Sequence, residues 1–431
     1  MKETIEFLSF SDPNVRFVVI GTMILGATAA MVGTFSFLRK RALIGDAIAH
    51  AILPGVCLSF MVSGEKNPLG LIIGAMLTGW LSLFLIDAIS RTSKLKNDAA
   101  IGIVLSVFFG VGILLLTSIQ QSGNAAQAGL DHFLFGKAAS LTKIDLMIFS
   151  GIGLFLILVV VLLYKEFKLI SFNPDYAKSV GLPVKLLEFI LATITVLSVA
   201  VGIQAVGVVL MAALLITPAA GARFWTNKLS SMIIIAVILG ATSAFFGSYV
   251  SYIAPSMPTG PWIVMFLSIL TIASIWFAPK TGMLAKFKTR SQNKKKMLLE
   301  NILKVFYHLG EKEEDFKVPR TFEDLKKTRN LTPSELNKGL SQLKKKNMVR
   351  KSLDTWMITK TGLFEARRII KLHRLWEMYL NQRLKLEPDH VHNDAEAIEH
   401  IITPEIERLL EKELAFPTID PHQSKIPYNE S

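Results

Sequence analysis

Cysteine is nearly absent: the one thiol, Cys57, stands inside an apolar stretch, so no disulfide framework can staple this chain to itself. A loop of the form Gly-x-x-x-x-Gly-Lys-Ser/Thr is missing too, which excludes a nucleotide-phosphate cradle of that kind. The first fourteen residues lack the basic start and small-residue cleavage site of a secretory leader, so the first apolar run is expected to stay as a membrane span. Charge is scarce across residues 15–277, and acidic residues are the minority overall, 34 against 47 lysines and arginines, for a formal net charge of +13. That charge sits beside 51% hydrophobic residues, a pairing that argues against one uniform soluble domain and for segregation along the chain. Beyond residue 286 no run approaches the ~20 apolar residues that cross a bilayer.

What is present before that point is one apolar run after another: 15–37, 42–62, 69–89, 99–119, 144–164, a long stretch 187–222, then 232–252 and 261–277. The long stretch holds Gly202, Gln204, Gly207 and Pro218, so two short spans joined by a tight turn can replace one. Eight or nine spans follow. Basic clusters stand at 39–41, 91–96, 165–185, 223–228 and from 280 onward, while the loops at 63–68, 120–142 and 254–260 hold few cations. Lysine and arginine concentrate on the cytoplasmic side. Nine spans with the N-terminus outside place every cluster in the cytoplasm, and the C-terminal part with them; eight would strand Arg223 and Lys228, or the tail, outside.

Few polar groups interrupt the spans. Asp46 and His50 are four residues apart and share one helix face. A carboxylate and an imidazole suit a divalent metal, and ionisable groups inside a membrane usually mark a pathway. The competing reading is a helix cap at Asp46 and a hydrogen-bonded His50. Asp131 and His132 fit outer-loop polarity, and Gln204 and Thr217 fit hydrogen bonds between helices.

The C-terminal part reads as a solvated basic linker (281–296), a helix from Met297 to Leu309, a short helix at 322–327, and a helix at 333–347 capped by Thr332 with Glu335 three residues on. Residues 349–359 alternate like a hairpin with its turn at Asp354 and Thr355. This order describes a winged helix-turn-helix whose second helix carries Asn337, Lys338, Gln342, Lys344 and Lys345, side chains that reach phosphates and base edges. Residues 281–385 carry roughly +15 and 386–431 roughly −8. The basic lobe suits DNA or an anionic lipid face. The acidic lobe holds His373 and Glu377, then His392, Glu396, Glu399 and His400 at helical spacing, more nitrogen and oxygen donors than a solvated face needs, and is read as a metal site.

Two resemblances sharpen this. The segments Leu43-Ile44-Gly45-Asp46-Ala47-Ile48-Ala49-His50, Phe133-Leu134-Phe135-Gly136, the run from Gln204 to Ala220, and Pro258-Thr259-Gly260-Pro261 resemble the manganese/zinc/iron ABC-transporter permeases, in that family's order across most of 15–280. The run Phe172-Asn173-Pro174-Asp175-Tyr176-Ala177, continuing to Gly181 and Pro183, is similar to the family's cytoplasmic stretch that touches the ATPase. The resemblance implies Asp46 and His50 on the metal path, and ATPase contact through Asn173, Pro174, Asp175, Ala177 and Gly181. It also implies a separate cytoplasmic ATPase, an extracytoplasmic metal-binding protein and a second permease copy. Ser256 and Met257 stand where the family often has an acidic residue.

His373-Arg374-Leu375-Trp376-Glu377, Val391-His392-Asn393-Asp394-Ala395-Glu396, Glu399-His400, Asp420-Pro421-His422 and Ile426-Pro427 resemble the diphtheria-toxin-repressor type of metal-dependent regulators, over about 297–427. That implies regulatory Fe(II) or Mn(II) on the six donors, with Glu396 in place of the iron sensors' thiolate pointing to Mn(II). Asn301 and Lys304 depart from the family's first-helix ligands.

The expectation is an all-α polytopic membrane domain (1–280), a linker (281–296), a winged helix-turn-helix (297–370) and metal-binding and dimerisation helices (371–431). The expected activity is permeation of Mn(II), Fe(II) or Zn(II) through a bacterial inner membrane with a cytoplasmic regulatory domain. The alternative is a membrane-tethered repressor that no longer transports; a proton-driven carrier lacks the buried acidic chain it would need.

Overall fold

The computed structural model describes all residues except 1, 42, 66, 122–135, 137–140, 255–256, 328–330, 385–402 and 429–431. The chain divides into two units, Met1–Lys286 and Phe287–Ser431.

In the first unit a short helix α1 (Lys2–Ser9) precedes α2 (Pro13–Leu38), α3 (Ile44–Ser63), α4 (Pro68–Thr92), α5 (Asn97–Gln121) and α6 (Lys143–Leu162). Two short helices, α7 (Tyr164–Phe172) and α8 (Pro174–Ser179), lead into α9 (Val184–Val206), α10 (Val208–Arg223), α11 (Leu229–Ile253) and α12 (Thr259–Phe277). The starts are locally encoded. Asp12 and Asn67 each precede a proline and accept a backbone N–H two residues on, at 2.8 and 3.1 Å, so the first turns of α2 and α4 are capped before any packing occurs.

Among the described residues eight helices are long and apolar enough to cross a membrane: α2 to α6, α9, α11 and α12. The long apolar stretch breaks at Gly207, which ends α9 and begins α10 at φ 81°, ψ 168°, a backbone region open essentially only to glycine. The expected tight turn is therefore one residue wide. With 16 residues, α10 is a ninth, shorter apolar helix. α2 packs against α10 and α11, and α3 against α4 and α5. α3 is the inner element: 72% of its apolar window is buried, against 28% for α5. Close approach is bought with small residues, since a Cβ on Gly55 would lie 2.1 Å from the Gly74 carbonyl oxygen.

The second unit begins within α13 (Met283–Lys312) and continues with β1 (Arg320–Thr321), α14 (Phe322–Lys327), α15 (Pro333–Lys345), β2 (Val349–Ser352), β3 (Thr355–Ile358), α16 (Lys360–Leu384) and α17 (Pro404–Glu413). The segment 281–296, expected as a linker, is exposed as a linker should be, yet from Met283 it is helical. It contains no proline or glycine from 283 to 309, and its lysines, leucines and methionines are good helix formers. The three strands pair antiparallel in the order β1-β3-β2, with Val349 opposite Ile358 and Arg320 opposite Trp356. The hairpin turn falls at Leu353 and Asp354, one residue earlier than expected. Thr332 and Glu335 form the expected reciprocal cap. The core joins Ile302, Leu325, Leu336, Leu340, Leu343 and Ile370.

Candidate metal centres

α3 carries the first site. Asp46 lies in its first turn and His50 one turn further, so their side chains stack, with His50 Nε2 3.5 Å from Asp46 Oδ1. The residues around them are buried, whereas the Asp46 side chain keeps 42% of its exposure and His50 22%. The imidazole edge meets Phe109 of α5 at 4.8 Å between ring centroids. His50 Nδ1 is buried without a hydrogen-bond partner among the described residues. A buried imidazole nitrogen left unsatisfied is costly unless something else binds it. Pro54, inside α3, cannot donate an N–H back to the His50 carbonyl. The imidazole Nε2 and the carboxylate meet at one turn, and the other ring nitrogen, Nδ1, points into the interior. The N-cap position of α3 is Leu43, with no side-chain cap bond among the described residues, and Asp46 stands inside the first turn.

The second site lies on α16. His373 and Glu377 are 5% and 2% exposed, with His373 Nε2 3.1 Å from Glu377 Oε1. His422 Nε2 stands 4.0 Å from the same oxygen. His422 belongs to the Asp420-Pro421-His422 motif but not to the donors that helical spacing groups; only the fold brings residue 422 back to α16. His392, Glu396, Glu399 and His400 lie outside the described residues. Among the described residues no group of three or more His, Cys, Asp or Glu side chains is already placed to hold a metal. Imidazole nitrogen and carboxylate oxygen donors fit a divalent transition metal.

Ion pairs brace this pair. Arg374 donates to both oxygens of Glu311 at 2.9 and 2.8 Å and stands 3.3 Å from Asp420, joining α13, α16 and the C-terminal segment. Burial alone would push the Glu311 carboxyl up; hydrogen bonds from His308 and Arg374 hold it instead at about 2. Lys371 meets Glu407 at 2.6 Å and Glu411 at 2.7 Å. Burial disfavours its charge, but the two carboxylates carry the ammonium above its ordinary value. On α13, Lys304 is 3% exposed, and Asn301 Oδ1 is buried with no partner among the described residues.

Two surfaces complete the picture. Asn173 Oδ1 accepts the Tyr176 N–H at 2.9 Å and caps α8; Pro174 opens the helix, Ala177 is buried beneath it, and Gly181 turns the chain at φ 87°. Asp175 is exposed, as are Phe172, Tyr176 and Val180. On α15, Asn337, Lys338, Lys344 and Lys345 are exposed along one stripe opposite the buried leucines, while Gln342 is half-buried. Asp131, His132, Phe133, Leu134, Phe135 and Ser256 lie outside the described residues. Gly136, the last residue of that motif, presses its backbone against Val206 and Gly207.

The sequence pattern of the ABC 3 transport family matches residues 11–278, and that of the iron dependent repressor metal binding and dimerisation domain matches 359–428. The chain is similar to the manganese transport system membrane protein MntC of Bacillus subtilis, at 42% identity over 381 residues, covering 88% of this chain and 87% of that protein. It is similar to the zinc transport system membrane protein TroC of Treponema pallidum, at 42% identity over 275 residues, 64% of this chain and 92% of that one. Among solved structures, PsaBC from Streptococcus pneumoniae in complex with Fab aligns with a TM-score of 0.59 at 33% identity, over 66% of this chain and 99% of that chain.

Proposed function

The chain belongs to the ABC 3 transport family, and on that premise we propose that it is the permease of an ATP-driven importer of Mn(II), with Fe(II) or Zn(II) as the other candidate cargoes. The observation that carries this reading is the Asp46–His50 pair on the most buried of the eight long spans, with a buried Nδ1 that has no partner among the described residues. The part-exposed carboxylate on an otherwise buried face supports a path completed by a second permease copy, whose own pair would supply further nitrogen and oxygen ligands. Such a site must hold the ion firmly enough to select it and loosely enough to release it.

Energy would come from a separate cytoplasmic ATPase docked on Asn173, Pro174, Asp175 and Gly181, with the buried Ala177 seating the capped short helix and Phe172, Tyr176 and Val180 forming an exposed apolar rim. An extracytoplasmic metal-binding protein would deliver the ion. Nine helices with the N-terminus outside put the basic connections, and the C-terminal domain, in the cytoplasm of a bacterial inner membrane.

The C-terminal domain would take regulatory Mn(II) or Fe(II) through His373, Glu377, His392, Glu396, Glu399 and His400. A bound ion supplies a cross-link between these segments, so occupancy reports cytoplasmic metal and feeds back on uptake. The stripe Asn337, Lys338, Lys344 and Lys345, with Gln342 beside it, is the surface that DNA phosphates would meet; a mobility-shift assay with and without Mn(II) tests that, and no shift in either condition rejects it.

Radioactive Mn(II) uptake into cells or vesicles that also carry the ATPase tests the transport reading. Asp46→Asn or His50→Ala is expected to cut uptake about tenfold or more while leaving the protein in the membrane. Uptake equal to wild type in both variants would leave the helices as an anchor.

A further inference from the structure

The membrane unit contains a cavity of about 520 Å³ between the ends of α2, α3, α4 and α9. Its mouth carries Arg39, Arg41, Arg91 and Lys185 together with Asp87 and Glu188. Arg39 pairs with Glu188, and Arg41 with Asp87 at 3.4 Å, which leaves Arg91 and Lys185 without an ion pair among the described residues. Four cations against two carboxylates give the mouth an excess of two positive charges.

Below the mouth the wall is apolar and aromatic. Trp80 and Phe84 on α4 face Phe189 on α9, with the Trp80 and Phe189 rings 5.8 Å apart. From Arg91 down to Trp80, and from Lys185 down to Thr195, the lining runs about three helical turns, or ~15 Å at 1.5 Å per residue. That depth is about half of the ~30 Å hydrocarbon core, one leaflet. The cavity is also separate from the metal pair. Ile44 and Ile48 line it, and they stand two residues from Asp46 and His50, about 200° around α3.

A basic rim at the level of the connecting loops over an apolar slot one leaflet deep matches one chemistry. We infer that the cavity holds an anionic phospholipid, with its phosphate between Arg91 and Lys185 and an acyl chain lying along Trp80, Phe84 and Phe189. A soluble phosphate would leave the apolar slot unused, and a zwitterionic headgroup would leave the excess positive charge uncompensated. Basic pockets between membrane helices on the cytoplasmic side are a recurrent place for such headgroups.

Trp80 provides the readout. The full-length protein is reconstituted in phosphatidylcholine vesicles containing a rising fraction of dibrominated phosphatidylglycerol or, in parallel, dibrominated phosphatidylcholine. Quenching specific to the cavity is the difference between wild type and Trp80→Phe. Half-maximal quenching is expected at about a tenfold lower mole fraction of the anionic lipid. Arg91→Gln with Lys185→Gln, both exposed positions that a folded chain tolerates, is expected to erase that preference. Ala192→Phe, which fills the slot without touching a charge, is expected to lower Trp80 quenching by both lipids. Equal quenching by the two headgroups in wild type overturns the inference, as does a preference that survives the double glutamine variant. Undiminished quenching in Ala192→Phe would place the lipid outside the cavity and overturns it as well. Failure here leaves the transport reading standing, since the readout involves no metal.

Discussion

His50 shows what residue spacing can and cannot reveal. Its partnership with Asp46 was legible from the interval of four, because helical periodicity alone stacks the two side chains. The isolation of Nδ1 was not, since it depends on Phe109 and the other side chains that fold around α3. His422 makes the same point from the other direction. Nothing local ties residue 422 to Glu377, and only the return of the C-terminal segment to α16 brings them together. Glu311 yields a test at this scale. Its carboxyl is held at about 2 against an ordinary 4.5, so the unfolded chain binds the proton first. Its stabilising contribution is fully present above about 4.5 and fades as pH falls toward 2. Thermal melts followed by Trp356 and Trp376 fluorescence should lose stability through that window, and Glu311→Gln should flatten the loss while lowering stability at neutral pH.

Composition decides the membrane helices. The spans 69–89 and 232–252 became Pro68–Thr92 and Leu229–Ile253, because an apolar run in a membrane has no other way to satisfy its backbone. In α13 a cluster of lysines marks a linker, and the same residues have high helix propensity with nothing to interrupt them, so the segment is helical. Packing between helices is not legible, since composition alone does not separate the glycines that seat a neighbouring helix from those, such as Gly102 and Gly110, that face open space. Gly55 is one that matters. Gly55→Leu should drive a side chain into the α4 backbone at a cost of about 1–3 kcal/mol, read as a lower melting temperature in detergent, whereas Gly151→Ala, with open space at its Cα, should change little. In the second unit, Thr332→Ala removes the hydroxyl that accepts the Glu335 N–H, keeps the backbone N–H that Glu335 accepts, and should cost ~1 kcal/mol in denaturant melts.

The order of the parts was legible at the scale of the whole molecule, because an apolar tract and a charged tract cannot share one solvent. A metal-saturated C-terminal domain should be the more stable one. With Mn(II) at 100 times its dissociation constant, the unfolding free energy of that domain in the full chain should rise by ~2.7 kcal/mol. Calorimetry should detect the rise in wild type and not after Glu377→Gln with His373→Ala; a rise that survives the double variant would assign the ion to other groups.

Gly207 has a further consequence for how this chain can vary. A single-residue bridge between α9 and α10 leaves no slack to absorb an insertion or deletion. Adding or removing one amino acid there would turn the following helix by ~100° and swing Leu214 and Leu215 from the interior toward lipid. Length changes among natural variants should therefore gather at other connections and spare this one.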